Sequence, residues 1–454
     1  MSMKQPQKQN KQKDKRTKII DLFSSGKYTD VISICNQQPQ QAEDVFYMTY
    51  LALSYVRLDN FSAAEVPLRK LVRANPNDHK MRHLLGAVLT SQCKFEEALE
   101  LLVKVYNETQ SNAVLTEISK NLLQSGLFEQ AYDVCENLLK IEPENHHALF
   151  NASLLDIYFG QLEQAGVRYE RRVQHPDWGR HILSVAPNWQ HGSSLQQKRV
   201  LVWSEQGIGD SLFFLSALPH LVKEAFSVTV ICEQRLQSLL EFNNPGITTI
   251  SKERAFSGTV DFSDFDVQIL AGSLWMHYSK TIDDFKRNIS IAVPDSLSLP
   301  IDGKTKIGVS WFHGKKNIHD RFAIPLLELV TTLNGENIVW YNLQYGYAAE
   351  EVKQVEDVLG VKLLSIEGHA AADEFSHYGQ LINQMDLVIT ADNAAFIFSM
   401  LLGKTTILLS PIPHLMLGHD QILNPHPDKI FQFINPSQAD WPETFSLLKE
   451  GLSF

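Results

Sequence analysis

The chain has 454 residues, of which 44% are hydrophobic and 20% charged, and a formal net charge of −11. That length predicts about three domains, and the apolar content excludes a disordered chain. Net acidity excludes a general nucleic-acid binder, which neutralises phosphates with clustered Lys and Arg.

The first segment runs against the overall charge. Lys4, Lys8, Lys11, Lys13, Lys15, Arg16 and Lys18 stand against the single acid Asp14, among Gln and Asn. This composition predicts a solvated, disordered basic tail over residues 1–16. No apolar region follows before a helical pattern begins near Thr17, so the tail is not read as a signal peptide. The best apolar run, Phe396 to Leu409, is broken by Gly403 and Lys404 and falls short of the ~18 residues of a membrane span. A cytoplasmic protein with no membrane span is the expectation. Cys35, Cys93, Cys135 and Cys232 have no CxxC spacing and read as small buried hydrophobes rather than a disulfide frame or a zinc site.

Residues 17–170 carry an internal period. Ala64, Ala98, Ala131 and Ala165 are 34, 33 and 34 residues apart, and Phe61, Phe95, Phe128 and Leu162 keep the same step three places earlier. Each unit reads as a helix, a short polar break ("RLDN", "SQCK", "QSGL") and a second helix. The small alanine admits close helix approach, leucines such as Leu68, Leu101 and Leu138 fill the groove between units, and Pro76 and Pro143 end second helices. This predicts a tetratricopeptide (TPR) solenoid of about five units. Such arrays bind extended peptides or helices, which is the expectation here, with packing on its own chain as the alternative.

Between 171 and 197 the phase is lost, and prolines, glycines and exposed-looking tryptophans predict a linker or docking segment. From Lys198 short apolar runs alternate with helical stretches. Strands are predicted at 199–204, 227–232, 265–270, 306–312, 337–343, 361–366, 386–391 and 405–410. Continuous apolar strands separated by helices predict parallel sheets covered on both faces. The stretch "AVPDSLSLPIDGK" divides them into halves at 198–295 and 305–454.

Ligands of open α/β sheets bind beyond the carboxyl ends of the strands, which singles out four loops. In "SEQGIGD", Gly207 and Gly209 permit close backbone approach. Asp210 reads either as a helix cap or as a carboxylate able to accept a proton from an attacking hydroxyl. The loop lacks the Gly-Lys-Ser/Thr ending of a P-loop. "SWFHGKKNIHDRFAIPL" sets Lys315, Lys316 and Arg321 around Gly314, which suits either an anionic ligand or a solvated surface. Its His313 and His319 lack the partners of a zinc site. "NLQYG" offers Gln344 and Gly346. Asp392 and Asn393 stand at a strand-to-helix junction, as caps or beside a phosphate.

Taken together, "EQGIGD", "IGVSW", "DRFAIPL", "NLQYG" and "DLVITADNAAFIFSMLLGK" resemble, in order and spacing, the bacterial TPR-containing glycosyltransferases, whose catalytic region is similar to lipopolysaccharide heptosyltransferases and has the GT-B fold. The resemblance implies a TPR solenoid followed by a GT-B pair of doubly wound, Rossmann-like domains, the first on the acceptor side and the second on the nucleotide-sugar side. It implies Asp210 as general base, Gln206, Gly207 and Gly209 as substrate contacts, and Lys315 or Arg321, Gln344, Asp392 and Asn393 as donor contacts; His377 and Tyr378 stand where the family commonly has an Asp-Thr pair, which makes His377 a substitute donor contact. It further implies a metal-independent, inverting transfer with no cofactor beyond the nucleotide-sugar co-substrate. The acceptor would be a Ser or Thr hydroxyl of a protein, such as a flagellar or surface protein, chosen by the repeats. The sequence departs from the family at Asn393, where a hydroxyl residue is usual, and at Ile397, where a histidine is usual. A non-catalytic TPR scaffold and a lipopolysaccharide heptosyltransferase are the competing readings.

Overall fold

The computed structural model describes residues 5–37, 44–174, 182–300, 303–312, 323–346, 348–370, 373–435 and 441–452. It divides into two compact units, Met1–Pro143 and Glu144–Phe454.

The first unit is a run of eight helices: α1 Gln5–Ser24, α2 Tyr28–Asn36, α3 Val45–Arg57, α4 Phe61–Ala74, α5 His79–Ser91, α6 Phe95–Thr109, α7 Asn112–Ser125 and α8 Phe128–Ile141. Side-chain caps start several of them: Asp44 accepts from Phe46 N at 2.9 Å, Asn60 from Ala63 N at 3.2 Å and Asp78 from Lys80 N at 3.0 Å. Ala64, Ala98 and Ala131 are fully buried, as the repeat requires, and so are Leu68 and Leu138. In the third unit Leu102 fills the groove, while Leu101 is only half-buried. Gly86 is needed there, since a Cβ at that position would lie 2.6 Å from Leu102 Cδ2. Charged pairs tie neighbouring repeats: Glu65 accepts from Arg69 and Lys94, and Arg69 donates both terminal nitrogens to Glu97. The backbone is helical from Gln5, within the segment expected as a disordered tail, and residues 1–4 lie outside the described residues.

The second unit opens with a further helix pair, α9 His146–Tyr158 and α10 Leu162–Tyr169. This last repeat was expected to close the array near 170, but it belongs with the sheets. A Cβ on Gly160 would lie 2.8 Å from Ile422 Cδ1, and Gly166 approaches Met276. The segment expected as a linker is docked. Arg172 is buried, Trp189 N donates to Gln268 O at 2.8 Å, and Gln268 N donates to Pro187 O at 2.8 Å, extending the first sheet by one bridge. Trp189 is buried rather than exposed.

Two parallel sheets follow. The first comprises β1 Arg199–Trp203, β2 Ser227–Cys232, β3 Thr248–Ser251 and β4 Val267–Leu270, in the order β3-β2-β1-β4. The second comprises β5 Thr305–Ser310, β6 Ile338–Asn342, β7 Leu363–Leu364, β8 Leu387–Thr390, β9 Thr406–Ser410 and β10 Ile430–Ile434, in the order β10-β9-β8-β5-β6-β7. All eight expected strands form, β2 over its whole expected span, β5 starting one residue earlier and ending two earlier, and the others with trimmed ends; β3 and β10 are additional edge strands. In each sheet the order reverses once, between β1 and β4 and between β5 and β8. Those are the switch points at which doubly wound sheets leave a crevice. One apolar cluster joins the halves, running from Leu212, Phe213 and Phe214 to Phe396, Phe398 and Met400.

Candidate functional site

The loop after β1 enters the Ile208–Leu215 helix through Gly207, whose N–H donates to Asp210 Oδ2 at 3.2 Å. Asp210 is therefore exposed and accepts from the N-terminus of its own helix, a geometry compatible with both of its expected readings. Gly209 lies where the halves meet: a Cβ there would be 3.5 Å from both Ala394 Cα and Ile397 Cγ1. Ile397 is buried among apolar groups in this contact.

Gln206 is a non-glycine residue at φ +61°. Its amide donates to the hydroxyl of the buried Tyr169. The neighbouring Glu205 is also buried, an arrangement that requires a paired charge. Arg172, 1% exposed, supplies it through Nε at 3.0 Å, and also donates to Ser273 Oγ at 2.9 Å and Tyr169 O at 3.0 Å. Its guanidinium lies 4.1 Å from the centre of the Tyr169 ring. Glu205 Oε1 further accepts from Gly272 N at 2.8 Å, at the start of the Ala271–Tyr278 helix. Burial pushes the Tyr169 hydroxyl far up. For Arg172 burial pulls the pKa down, but the Glu205 carboxylate more than offsets it. The first crevice, between β1 and β4, is thus filled by an internal ion pair.

The second crevice is crossed by amides. Asn393 Oδ1 accepts from Ala395 N at 2.9 Å and Thr390 Oγ1 at 3.1 Å, while Nδ2 donates to Ser310 Oγ at 2.8 Å and Phe312 O at 3.2 Å. Gln344 Oε1 accepts from Trp311 N at 2.8 Å, Phe312 N at 3.0 Å and Ser310 Oγ at 3.2 Å; its Nε2 donates to Phe312 O at 3.1 Å and Tyr345 O at 2.7 Å. Both side chains were expected to contact a donor. In this structure their donors and acceptors join the ends of β5, β6 and β8. Asp392 Oδ1 lies 3.2 Å from His414 Nε2, and His414 Nδ1 accepts from Met416 N at 3.2 Å, which fixes the proton on Nε2. His377 is exposed, stacked on His369 with ring centres 5.1 Å apart and bonded to Gly368 O at 3.2 Å. Lys315 and Arg321, with His313 and His319, lie outside the described residues. No group of three or more His, Cys, Asp or Glu among the described residues could hold a metal ion, and no described helix is long and apolar enough to cross a membrane.

Of the residues expected at the site, the structure thus brings Gly209 beside Ala394, at the start of the helix that Asn393 caps, while Gln206 turns to Tyr169. Sequence reasoning missed Tyr169, Arg172, Glu205 and His414. Glu205 carried a usable signal, an acid directly after an apolar strand; Arg172, 33 residues upstream, carried none.

No protein-family model matches the chain. It is 25% identical over 406 residues to Protein FlbA of Caulobacter vibrioides, covering 81% of this chain and 66% of that protein. It is 23% identical over 151 residues to the BBSome complex member BBS4 of Bos taurus, covering 33% of this chain and 29% of that protein. The chain therefore spans less than two thirds of the length of either relative. Among solved structures, MamA from Desulfovibrio magneticus RS-1 is similar with a TM-score of 0.31 and 13% identity, over 37% of this chain and 94% of that one. YrrB, a TPR protein with an unusual peptide-binding site, is similar with a TM-score of 0.29 and 16% identity, over 34% and 81%. The chain combines a TPR-like repeat array with parallel-sheet α/β architecture.

Proposed function

We propose that the protein is a TPR-type interaction protein, whose helical array holds an extended or helical segment of a partner and whose α/β region is a rigid scaffold. The observation that carries this reading is the use of Gln344 and Asn393. The two amides best placed to meet a donor at the second crevice bond the chain's own backbone and hydroxyls. The first helices of the repeats, α3, α5 and α7, carry polar positions such as His83 and Lys120, and these are the contacts by which a partner segment would be selected. Panning the full chain against a displayed peptide library tests this. Enrichment of one motif that His83→Glu together with Lys120→Glu abolishes is the expected result, and no enrichment overturns the reading.

A second reading has its own support. Gly209 approaches Ala394, just after the Asp392–Asn393 junction, to ordinary contact distance, and its neighbour Asp210 is exposed. Under this reading the two doubly wound sheets form a GT-B pair, and Asp210 accepts the proton of a Ser or Thr hydroxyl on a protein. The leaving nucleoside diphosphate would be stabilised by helix N-termini and by Lys315 or Arg321. Thermal unfolding against UDP, GDP, ADP, CMP and their sugar conjugates decides between the two, because a ligand of the folded state alone raises Tm. A reproducible shift with one nucleotide promotes glycosyl transfer, whereas flat profiles at millimolar ligand leave the scaffold reading standing.

A further inference from the structure

The Gly-rich loop is held from outside its own sheet. The backbone at Gln206 sits in the left-handed region, which a non-glycine side chain adopts only when its surroundings impose it. Two adjacent side chains at the start of that strained turn are tied to one neighbour, the end of α10 and the turn that follows it. Tyr169 takes the Gln206 amide, and Arg172 grips Glu205 while donating to Tyr169 O. Ser211 Oγ then donates to Glu205 O at 2.8 Å, closing the loop on itself.

We infer that Tyr169 and Arg172 are positioning residues, through which the last helix pair sets the conformation of the Gln206–Asp210 loop. The loop's resting shape is then a property of α9 and α10 as much as of β1, and a distortion of that pair by a bound partner is passed to Gly207 and Asp210. The inference rests on neither reading of the function, because it concerns what holds the loop and not what the loop contacts.

Hydrogen–deuterium exchange on the full chain, read at amides 207–211, provides the test. Tyr169→Phe keeps the ring in place and removes only the hydroxyl that Gln206 reaches. Loss of one such bond shifts a local opening equilibrium by about five- to tenfold. Exchange at Gly207 and Ser211 is expected to accelerate by that factor, while β1 and β2 stay unchanged. In a Gln206→Gly background the left-handed turn needs no support, and the same change at Tyr169 is expected to leave loop exchange unaltered. Loop exchange within twofold of wild type in Tyr169→Phe would overturn the inference. An equal acceleration in both backgrounds would also overturn it, because a general packing defect does not depend on residue 206.

Discussion

Gln344→Glu separates a clamp from a ligand contact, because it preserves shape and replaces an amide donor with an oxygen. In the native protein Gln344 Nε2 lies 3.1 Å from Phe312 O and 2.7 Å from Tyr345 O. A glutamate there retains the acceptor side, towards Trp311 N and Phe312 N, but turns a carboxylate oxygen on two carbonyls. Two lost bonds at about 1 kcal/mol each, plus the repulsion of a buried charge, give a penalty of about 3–4 kcal/mol at pH 7. The carboxyl's folded pKa is raised above the ~4.3 of the unfolded chain. The folded state therefore binds the proton more tightly than the unfolded state, and the penalty grows as pH rises through the folded pKa. Below about pH 4 the protonated acid again donates one bond, and the difference from wild type should fall to about 1 kcal/mol. Urea unfolding of both proteins from pH 4 to pH 8 measures it. Equal stabilities at pH 7, or a gap that widens on acidification, would refute the clamp and return Gln344 to the pool of ligand contacts.

Acid unfolding should depend on Glu65: burial alone would raise its pKa, but hydrogen bonds from Lys94 and Arg69 outweigh that and hold it at about 2. Its contribution is complete above about pH 4.5 and lost as the pH falls towards 2. Glu65→Gln should therefore cost about 2 kcal/mol at pH 7 and flatten the acid limb of a Tm-versus-pH curve. Arg172→Met should cost about 3–5 kcal/mol in denaturant unfolding by stranding the buried Glu205 carboxylate, and adding Glu205→Gln should recover part of that loss. Burial pushes the Cys35 thiol to about 11 and Cys232 to about 12, so a thiolate-selective reagent at pH 8 should label the half-buried Cys93 well before either. Gly209→Ala should raise Tm slightly, since its Cβ falls at 3.5 Å from its neighbours and alanine favours a helix by about 1 kcal/mol.

The repeats were legible because the same physical demand recurs every 33 or 34 residues: Ala64, Ala98 and Ala131 must be small for the same reason, and all are fully buried. Parallel strands such as β1 and β9 were legible because burial on both faces makes them continuously apolar. The edge strands were not. β3 reads Thr-Thr-Ile-Ser, and in β10 only Ile430 is buried, so neither shows the run of a central strand. The boundary at Pro143 was hidden for a different reason. Ala165 keeps the repeat phase perfectly well, and what reassigns α9 and α10 is distant contact, such as Ile422 against Gly160. At the site, residue type indicated which loops were unusual but not what their side chains faced. Asn393 and Gln344 are equally suited to a phosphate and to a backbone, and only the positions of Ser310, Trp311 and Phe312 decide between them.

The two crevices are closed by different means, and the difference bears on where a ligand could act. Between β1 and β4, Glu205 occupies the helix N-terminus at Gly272, the position from which backbone N–H groups would otherwise meet an anion. Arg172 neutralises that carboxylate from within, so a phosphate entering there would have to displace a charged group held by two residues. Between β5 and β8 the closure is neutral, made of Asn393 and Gln344, and displacing an amide is cheaper than displacing an ion pair. At the second sheet, beyond the Asn393 bridge, Asp392 is half-exposed and lies 3.2 Å from His414 Nε2. From there the first sheet contributes only its rim, Gly209 and Asp210, and that rim is shaped by Tyr169 and Arg172. Within the second unit, the α9–α10 pair thus meets that rim at the loop rather than in either crevice.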